Sequence, residues 1–353
     1  MNWKLALLGF GNVGQGLARL LLEKRKELKK KYDFEYSVVG IYDIKMGGIC
    51  VEEGEVDLEK LLQIIDAGGM ITDYSGGRED LNALGLIEMC KPDILAEMTF
   101  TDFETGQPAV SHCQQALAGG IHVVTSNKGP AALAGKELLR LASDNGVQFR
   151  FEGTVMSGTP VINLATGCLA GAKISGFKGI LNGTTNFILT RMEGGMTYEA
   201  ALAEAQELGY AEADPTGDVE GWDALGKGVI LAGTLMGVEF KINDVPRKGI
   251  SHLKPSDIEE AGKEGKRWKL LVECRDNDGE VSLKVEPVKV DLTDPLAAVG
   301  GATNALTFET DVLGPVTIVG AGAGRKETGF SILIDLLWIH SIALGRPLLN
   351  VGD

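Results

Sequence analysis

A glycine-rich turn close to the start of the chain limits its fold more than any other feature. Residues 9–14 read GFGNVG and lie between an apolar run, Lys4–Phe10, and an amphipathic stretch, Gln15–Lys31. In such a motif the first glycine permits a tight turn, the second lets a pyrophosphate approach the backbone, and the third lets a helix pack closely on a strand. The pattern therefore predicts a dinucleotide site at the beginning of a helix. Its motif residues are Gly9, Gly11, Asn12, Val13 and Gly14.

Short apolar runs alternate with amphipathic stretches over the first 150 residues. Uninterrupted apolar strands joined by helices are typical of a parallel sheet covered on both faces, and right-handed crossovers then produce a doubly wound sheet. We therefore expect an α/β fold with a Rossmann-type, doubly wound parallel sheet. The predicted strands are Lys4–Phe10, Tyr36–Asp43, Ile94–Phe100, His122–Ser126 and Val147–Phe151.

A different pattern follows Phe151. A strand pattern at Ile174–Ile180 is followed by a strongly apolar helix at about 219–236, and strand patterns return at 280–319. This order predicts a second, α+β domain with a mixed sheet. The chain then ends in a long apolar helix, Gly329–Leu344, which we expect to pack on the first domain.

Charge and cysteine usage exclude several classes of partner. The formal net charge of −15 disfavours nucleic acids and anionic membrane surfaces, because phosphate binding needs a basic surface. The five cysteines are widely spaced, so we expect neither a disulfide framework nor a zinc site, and a reducing cytoplasm fits. The sequence has no signal-peptide pattern and no uninterrupted apolar run long enough to span a membrane.

An acidic side chain is expected where the second strand ends, because it can accept a hydrogen bond from a ribose hydroxyl of the dinucleotide. Asp43 fills that position and favours NAD, whereas Lys45 could meet the 2′-phosphate of NADP, so the choice between the two cofactors stays open. Ligands bind beyond the carboxyl ends of such strands. Two further strand ends therefore place Thr99, Ser126 and Lys128 at the same cleft.

Acidic residues crowd the segment before the apolar helix of the second domain. Glu212, Asp214 and Asp218 lie in a short loop, and Asp223 and Lys227 are four residues apart, so they share one helix face. A helix N-cap and an exposed ion pair would explain these residues without a function. The apolar neighbours of the pair favour burial, however, which is costly unless the charges are paired or functional. The cluster suits a substrate with an ammonium group, beside a lysine that can donate a proton.

Further motifs follow one another in order along nearly the whole chain. After the glycine turn come TSNKGP at 125–130, EGTVMSGTP at 152–160, GILNGTTNFIL at 179–189, the acidic segment ending at Lys227, and VGAGAG at 319–324. This set resembles the homoserine dehydrogenases. The resemblance implies NAD(P)-dependent interconversion of L-homoserine and L-aspartate 4-semialdehyde, in the biosynthesis of threonine, methionine and isoleucine. It also implies a cytoplasmic homodimer.

The resemblance assigns catalytic roles to Lys227, Lys128 and Asp223. One of the two lysines would transfer a proton and the other would stabilise the oxyanion. Which lysine has which role stays open. Glu212 and Asp223 would hold the substrate's amino group, with Asp218 near its oxygen.

Other implied residues surround these groups. Gly183, Thr184 and Tyr210 would line the substrate pocket, and Gly322 would approach the nicotinamide end of the cofactor. A structural Na⁺ or K⁺ would be bound by backbone carbonyls, since hard oxygen ligands suit such ions. The residues implied for this cation are Glu152, Val155, Ser157 and Thr159.

The resemblance also divides the chain. It implies an NAD(P)-binding domain at 1–150 and about 330–353, a dimerisation region at 151–160 and about 280–329, and a catalytic region at 161–279. One departure concerns Gly226 and Gly228, beside Lys227, where better helix formers are usual. Each glycine costs about 1 kcal/mol in a helix interior, so we expect a loosened helix.

Three other functions compete with this interpretation. A non-catalytic dinucleotide-binding sensor would share the glycine turn, and a dehydrogenase of a related amino-acid semialdehyde would share most of the site. An aspartate-semialdehyde dehydrogenase would need a cysteine nucleophile, and Cys113 and Cys168 have no recognisable base in the sequence.

Overall fold

The computed structural model describes residues 1–347 and divides the chain into two compact units. The first unit contains Met1–Thr154 and the segment that begins at Gly324, and the second contains Val155–Ala323. The part of the expected NAD(P)-binding domain beyond residue 347 lies outside the described residues.

A six-stranded sheet forms the centre of the first unit. Its strands are β1 (Asn2–Leu8), β2 (Glu35–Asp43), β3 (Gly47–Cys50), β4 (Ile94–Glu97), β5 (His122–Thr125) and β6 (Phe149–Arg150). Their order is β3-β2-β1-β4-β5-β6, and every pair is parallel except β2 with β3. The predicted Rossmann-type sheet is confirmed. Four of its strands end slightly earlier than predicted, so Phe10 and Phe100 lie in the loops at the carboxyl edge, whereas β2 ends at Asp43 as predicted.

Helices connect these strands and bury their apolar faces on the sheet. They are α1 (Asn12–Tyr32), α2 (Leu58–Asp66), α3 (Ala83–Cys90), α4 (Ala109–Ala118), α5 (Lys128–Leu133) and α6 (Gly135–Asp144). The longest, α1, begins at the glycine turn and buries Leu17, Leu20, Leu21 and Leu28 at helical spacing. It ends at Asp33, which has a left-handed backbone, after three lysines that suit the negative end of the helix dipole.

The second unit is built on a five-stranded sheet. Its strands are β7 (Ile174–Ile180), β8 (Lys266–Asn277), β9 (Glu280–Asp291), β10 (Thr303–Thr310) and β11 (Gly314–Ala321), in the order β11-β10-β7-β8-β9. The predicted α+β architecture holds, but the mixed sheet is wrong for this unit, because all four strand pairs are antiparallel. Short turns join β8 to β9 and β10 to β11 into hairpins, which sequence patterns alone did not reveal.

Six helices belong to the second unit. They are α7 (Val161–Asn163), α8 (Gly183–Glu193), α9 (Tyr198–Glu207), α10 (Thr216–Val219), α11 (Trp222–Leu231) and α12 (Pro255–Lys263). The single helix predicted at about 219–236 is divided, because Gly221 has a φ of 82° and separates α10 from α11. After Leu231 the helix widens into a π-type segment, Ala232–Met236.

Gly228 is a packing position rather than a weakness of α11. A β-carbon added there would lie 2.6 Å from Cγ1 of Val272 and 3.3 Å from Leu283, so only glycine lets the helix lie this close to β8 and β9. The expected loosening is therefore offset at residue 228 by close packing.

The last helix, α13 (Arg325–Leu344), lies alongside α1 in the first unit. By length and mean hydropathy it is the one helix among the described residues that could span a membrane. Its residues Ile332, Leu333, Leu336 and Ile339 nevertheless lie in the buried core of the first unit. This burial explains the apolar character of α13 as that of a core helix.

Two cysteines that are 40 residues apart in sequence come together in the first unit. Cys50 of β3 and Cys90 of α3 are paired as a disulfide, with Cα atoms 5.8 Å apart. The sequence reasoning, which expected no disulfide framework, missed this one pair, because the spacing of cysteines in the sequence does not show which strand and helix become neighbours.

Candidate active site

The glycine turn has the shape that its sequence predicts. Gly9 has a φ of 85°, and a β-carbon at Gly9 or Gly14 would collide with the backbone of Met98 or of Gly9 itself. A β-carbon at Gly11 would instead meet no atom within 4 Å. The turn is thus closed on the protein side and open at Gly11, beside Asn12 and Val13 in the first turn of α1. This open cradle at a helix N-terminus fits the pyrophosphate of a dinucleotide.

Asp43 connects the end of β2 to this turn. Its Oδ2 accepts a 2.9 Å hydrogen bond from the backbone N–H of Phe10, and its Oδ1 accepts one of 2.9 Å from the N–H of Lys45. Both bonds fix the carboxylate at the carboxyl edge of the sheet and leave lone pairs for a ribose hydroxyl. The Lys45 side chain is exposed.

A buried polar network fixes the end of β5 and the beginning of α5. Glu97 is fully buried, and Thr125 donates to its backbone and side chain at 2.8 and 3.3 Å. Thr99 also donates to Oε1 of Glu97, from its N–H at 3.2 Å and from its hydroxyl. The side chain of Asn127 accepts from the N–H of Gly129 and donates to the carbonyl of Phe100, at 3.0 and 2.7 Å.

Lys128 follows Asn127 directly and is the first residue of α5. Its half-buried position is therefore set by a capped helix and by the network under it. Ser126 donates its N–H to the carbonyl of Glu97 at 3.3 Å, in the same strand end. The structure thus gathers Thr99, Ser126 and Lys128 at the carboxyl edge of the first sheet.

In the second unit, Lys227 and Asp223 form a nearly buried ion pair in α11. Nζ of Lys227 lies 2.7 Å from Oδ2 of Asp223 and donates a second hydrogen bond, of 2.6 Å, to the carbonyl of Leu181. The lysine side chain is 9% exposed and the aspartate side chain 21%. Because both partners come from rigid elements, the ammonium group is held in one place.

Asn182 joins this pair to Asp218. Its Nδ2 donates to Oδ1 of Asp218 at 2.7 Å and to Oδ2 of Asp223 at 3.0 Å, while its Oδ1 caps α8 by accepting from the N–H of Thr185. Burial raises the pKa of the Asp218 carboxyl, and the neighbouring charge of Asp223 raises it further, against the opposing effects of Asn182 and Lys227.

The other predicted substrate residues lie either beside this cluster or at exposed positions. Thr184 lies beside the cluster and donates to the carbonyl of Tyr210 at 2.7 Å, and Gly183 begins α8. The Tyr210 ring is 47% exposed and packs on Phe187 with the ring centroids 5.0 Å apart. Glu212 lies on an exposed loop.

Two amide side chains were missed by the sequence reasoning. Asn182 precedes Gly183-Thr184-Thr185, and this N-cap pattern before a helix could have identified it. Asn304 in β10 is fully buried against Gly322, yet neither polar atom of its amide has a hydrogen-bond partner within the described part of the chain. No local pattern distinguishes Asn304, since its surroundings come from residues distant in sequence.

The residues implied for a monovalent cation surround a strained segment. Glu152 belongs to the first unit, and Val155, Ser157 and Thr159 belong to the second. Met156 and Ser157 are consecutive non-glycine residues with left-handed φ values of 56° and 52°. Such residues cost about 1–3 kcal/mol each and persist where the surroundings fix them. Residues 1–347 contain no cluster of three or more His, Cys, Asp or Glu able to hold a metal ion.

The cysteines do not provide a nucleophile of the kind a thioester mechanism needs. Cys113 is fully buried, and burial together with the charge of Glu97 raises the pKa of its thiol well above the usual value. Cys168 is exposed in a π-type segment, Leu164–Cys168, outside the acid-lysine cluster. These positions argue against an aspartate-semialdehyde dehydrogenase.

Comparison with known proteins agrees with the dinucleotide turn of the first unit and with the acid-lysine cluster of the second. A family model described as the NAD-binding domain of homoserine dehydrogenase matches residues 9–152, and one described as homoserine dehydrogenase matches residues 160–337. The chain belongs to the homoserine dehydrogenase family. It is an NAD(P)-dependent oxidoreductase that interconverts L-homoserine and L-aspartate 4-semialdehyde.

Relatives of this homoserine dehydrogenase match it over most of its length. An NAD(+)-dependent homoserine dehydrogenase from Pseudomonas canavaninivorans is 48% identical over 97% of both chains, and one from Methanocaldococcus jannaschii is 42% identical over 96% of this chain and 98% of its own. A crystal structure of a homoserine dehydrogenase from Thiobacillus denitrificans is 33% identical, covers 98% of this chain and 74% of that chain, and has a TM-score of 0.83.

A hyperthermophilic archaeal homoserine dehydrogenase in complex with NADPH also matches, with 30% identity, a TM-score of 0.82, and coverage of 99% of this chain and 100% of that chain. The expected nicotinamide cofactor and the expected Rossmann-type architecture of the cofactor domain are therefore confirmed. The family assignment also disfavours the non-catalytic sensor.

Proposed function

We propose that Lys227, held by Asp223 and by the carbonyl of Leu181, acts on the substrate oxygen of this dehydrogenase. The observation that carries this proposal is the fixed ammonium group, with its two hydrogen bonds of 2.7 and 2.6 Å, in a cluster that also contains the half-buried carboxylate of Asp218. A positioned ammonium group can give its third proton to a developing alkoxide or stabilise the negative charge there.

Substrate binding uses the acids around this lysine. Asp223 and Glu212 hold the amino group of homoserine, and Asp218 accepts a hydrogen bond from its hydroxyl. Gly183, Thr184 and Tyr210 line the same pocket. Glu212 contributes its carboxylate from an exposed loop.

The reaction transfers one hydride and one proton. The nicotinamide cofactor supplies or accepts the hydride when bound. In the direction of reduction, the semialdehyde carbonyl carbon gains the hydride and its oxygen gains a proton from Lys227 or Lys128, which yields the hydroxyl of homoserine. Of these two lysines, one donates the proton and the other polarises the carbonyl oxygen.

We also propose that NAD is the preferred cofactor. Asp43 is fixed at the end of β2 and has oxygen lone pairs for the adenosine ribose, while its negative charge repels a 2′-phosphate. The exposed ammonium group of Lys45 is too loosely held to reverse this preference.

A structural Na⁺ or K⁺ bound by the carbonyls of Glu152, Val155, Ser157 and Thr159 is a further part of the proposal. The two left-handed residues inside this segment support it, because an ion can stabilise an otherwise costly backbone. Replacing KCl and NaCl by choline chloride at equal ionic strength is expected to lower the melting temperature. An unchanged melting temperature and unchanged activity would contradict the cation site.

The assembly is proposed to be a cytoplasmic homodimer that serves amino-acid biosynthesis. In the second unit, Val319 of the edge strand β11 is 52% exposed, and Val312 and Leu313 in the preceding turn are 70% and 62% exposed. Exposed apolar side chains on an edge strand are typical of an interface. Sedimentation equilibrium is expected to give twice the chain mass, and Val319→Glu is expected to shift this value toward the monomer.

The catalytic proposal is tested with a pH–rate profile of L-homoserine oxidation for the wild type, Lys128→Met and Lys227→Met. The variant that lacks the proton-transferring lysine loses the pH dependence of kcat, while the other retains it with a lower kcat. A wild-type profile in both variants would contradict the assignment. Binding of NADH without any turnover of L-homoserine would instead support a sensor.

A further inference from the structure

Arg325 stands beside the glycine turn, although it comes from the other end of the chain. It is the first residue of α13, and its Nη2 donates a 2.6 Å hydrogen bond to Oδ1 of Asn12, the first residue of α1. Its backbone is fixed as well, because Gly16 packs against the Arg325 carbonyl so closely that a β-carbon there would collide with it. The Arg325 backbone is therefore fixed beside the turn, and its exposed guanidinium group is joined to the turn through Asn12.

The two helices that carry these residues run side by side in the same direction. Lys326 pairs with Glu23 at 2.9 Å, and farther along, Nε2 of His340 lies 3.1 Å from the carbonyl of Tyr32. The N-terminal ends of α1 and α13 consequently lie together at the cradle left by Gly11. The dipoles of both helices favour negative charge at this place.

The guanidinium group has unused hydrogen-bonding capacity. It carries five N–H donors, and within residues 1–347 its hydrogen bond to Asn12 is the one the structure contains. Two neighbouring charges are committed elsewhere, since Lys326 pairs with Glu23 and Glu327 folds back over Gly324. Arg325 thus presents a positive charge to the first turn of α1.

We infer that Arg325 binds the pyrophosphate of the dinucleotide and that Asn12 orients its guanidinium group for this contact. An arginine fork matches the oxygen atoms of a phosphate group with two parallel hydrogen bonds, which a lone helix N-terminus does not provide. The glycine turn and α1 supply backbone N–H groups on one side of the pyrophosphate, and Arg325 supplies charge on the other. This role goes beyond the catalytic proposal and depends on neither lysine.

Binding measurements separate this role from a structural one. Calorimetric titrations use wild type, Arg325→Met and the matched control Lys326→Met, which loses a neighbouring cation of the same helix. The ligands are whichever of NADH and NADPH binds more tightly, ADP-ribose, and adenosine, which lacks phosphate. Melting temperatures of all three proteins are compared first, and Arg325→Lys serves as a second variant that keeps the charge without the fork.

In Arg325→Met, the Kd for the reduced cofactor and for ADP-ribose is expected to rise about tenfold, in line with the loss of charge-assisted hydrogen bonds. The Kd for adenosine should stay unchanged, and the affinity of the variant for ADP-ribose should depend less on salt. Arg325→Lys should recover part of the affinity, and Lys326→Met should bind all ligands as the wild type does. Wild-type affinity of Arg325→Met for ADP-ribose, or an equal loss for adenosine, would overturn the inference.

Discussion

Oδ2 of Asp223 accepts hydrogen bonds from both Nζ of Lys227, at 2.7 Å, and Nδ2 of Asn182, at 3.0 Å. This shared acceptor connects Lys227, in the interior of α11, to Asn182, the N-cap residue of α8. Because the pair is nearly buried, removing either charge would leave the other without compensation. The arrangement therefore fixes the ammonium group of Lys227, and the geometry of the cluster depends on each of its members.

Asn182 is predicted to affect substrate binding as well as stability. Asn182→Ala removes the cap of α8 and is expected to lower the free energy of unfolding by about 1 kcal/mol. It also removes the hydrogen bonds that Asn182 donates to Asp218 and Asp223, so the KM for L-homoserine should rise about tenfold or more. Asn82→Ala is the matched control, because Asn82 caps α3 through the same bond, to the N–H of Gly85 at 2.8 Å. The control should lose similar stability with an unchanged KM. An unchanged KM in Asn182→Ala would contradict the positioning role.

Asp218 gives a pH dependence of stability with a defined sign. Its pKa is raised in the folded protein, so the folded state binds the proton more tightly than the unfolded chain does, and stability is lost as pH rises through the raised pKa. Asp218→Asn should therefore be more stable than the wild type at pH 8, by an amount on the order of 1 kcal/mol. Denaturant unfolding from pH 3 to 8 checks this. The advantage should disappear at acidic pH, and a constant difference would argue against titration of Asp218.

Cofactor choice is predicted to depend on Asp43. Asp43→Ala removes the acceptor for the ribose and the charge that repels a 2′-phosphate, so the ratio of kcat/KM for NAD over NADP should fall about tenfold or more. Asp93→Ala is a suitable control, since Asp93 accepts a backbone N–H, from Lys4 at 2.8 Å, at the opposite end of β1. It should leave the ratio unchanged. Equal ratios in the wild type and Asp43→Ala would remove Asp43 from cofactor selection.

At position 228 glycine is expected to be more favourable than alanine, the reverse of the usual order in helices. Alanine is favoured over glycine in a helix by about 1 kcal/mol, yet Gly228→Ala should destabilise the protein by about 1–3 kcal/mol because the new methyl group meets Val272. Gly262→Ala in α12 is the control, since a β-carbon there meets no atom within 4 Å. Chemical denaturation should show the two substitutions acting in opposite directions. A stabilised Gly228→Ala would mean that α11 is as loose as sequence alone suggests.

The sequence predicts those features that are encoded over a few residues. The GFGNVG motif specifies a local turn, and the spacing of Asp223 and Lys227 places both on one helix face wherever that helix lies. Asp43 could be located because it ends a strand whose apolar pattern is clear. Each of these conclusions requires only the local geometry of a strand, a turn or a helix.

Features that depend on long-range packing could not be predicted. Glu97 lies at the end of an apolar strand, and only the fold shows that Thr99 and Thr125 donate hydrogen bonds to its buried carboxylate. The contact of Cys50 with Cys90 and the approach of Arg325 to Asn12 also join distant segments. The prediction of one continuous helix at about 219–236 failed for a local reason. Glycine within an apolar helical pattern does not by itself show a positive φ, and Gly221 has one.

The most direct test follows cofactor reduction by L-homoserine in the wild type and in Lys227→Met, with Lys241→Met as an exposed-lysine control. The wild type and the control should reduce NAD rapidly. Lys227→Met should lose about 100-fold or more in kcat while binding NADH with an unchanged Kd, because a general acid or base and an oxyanion-stabilising donor each contribute about 10² or more in rate. No reduction of NAD or NADP by the wild type, or a near wild-type kcat in Lys227→Met, would contradict the assignment of Lys227 to the reaction.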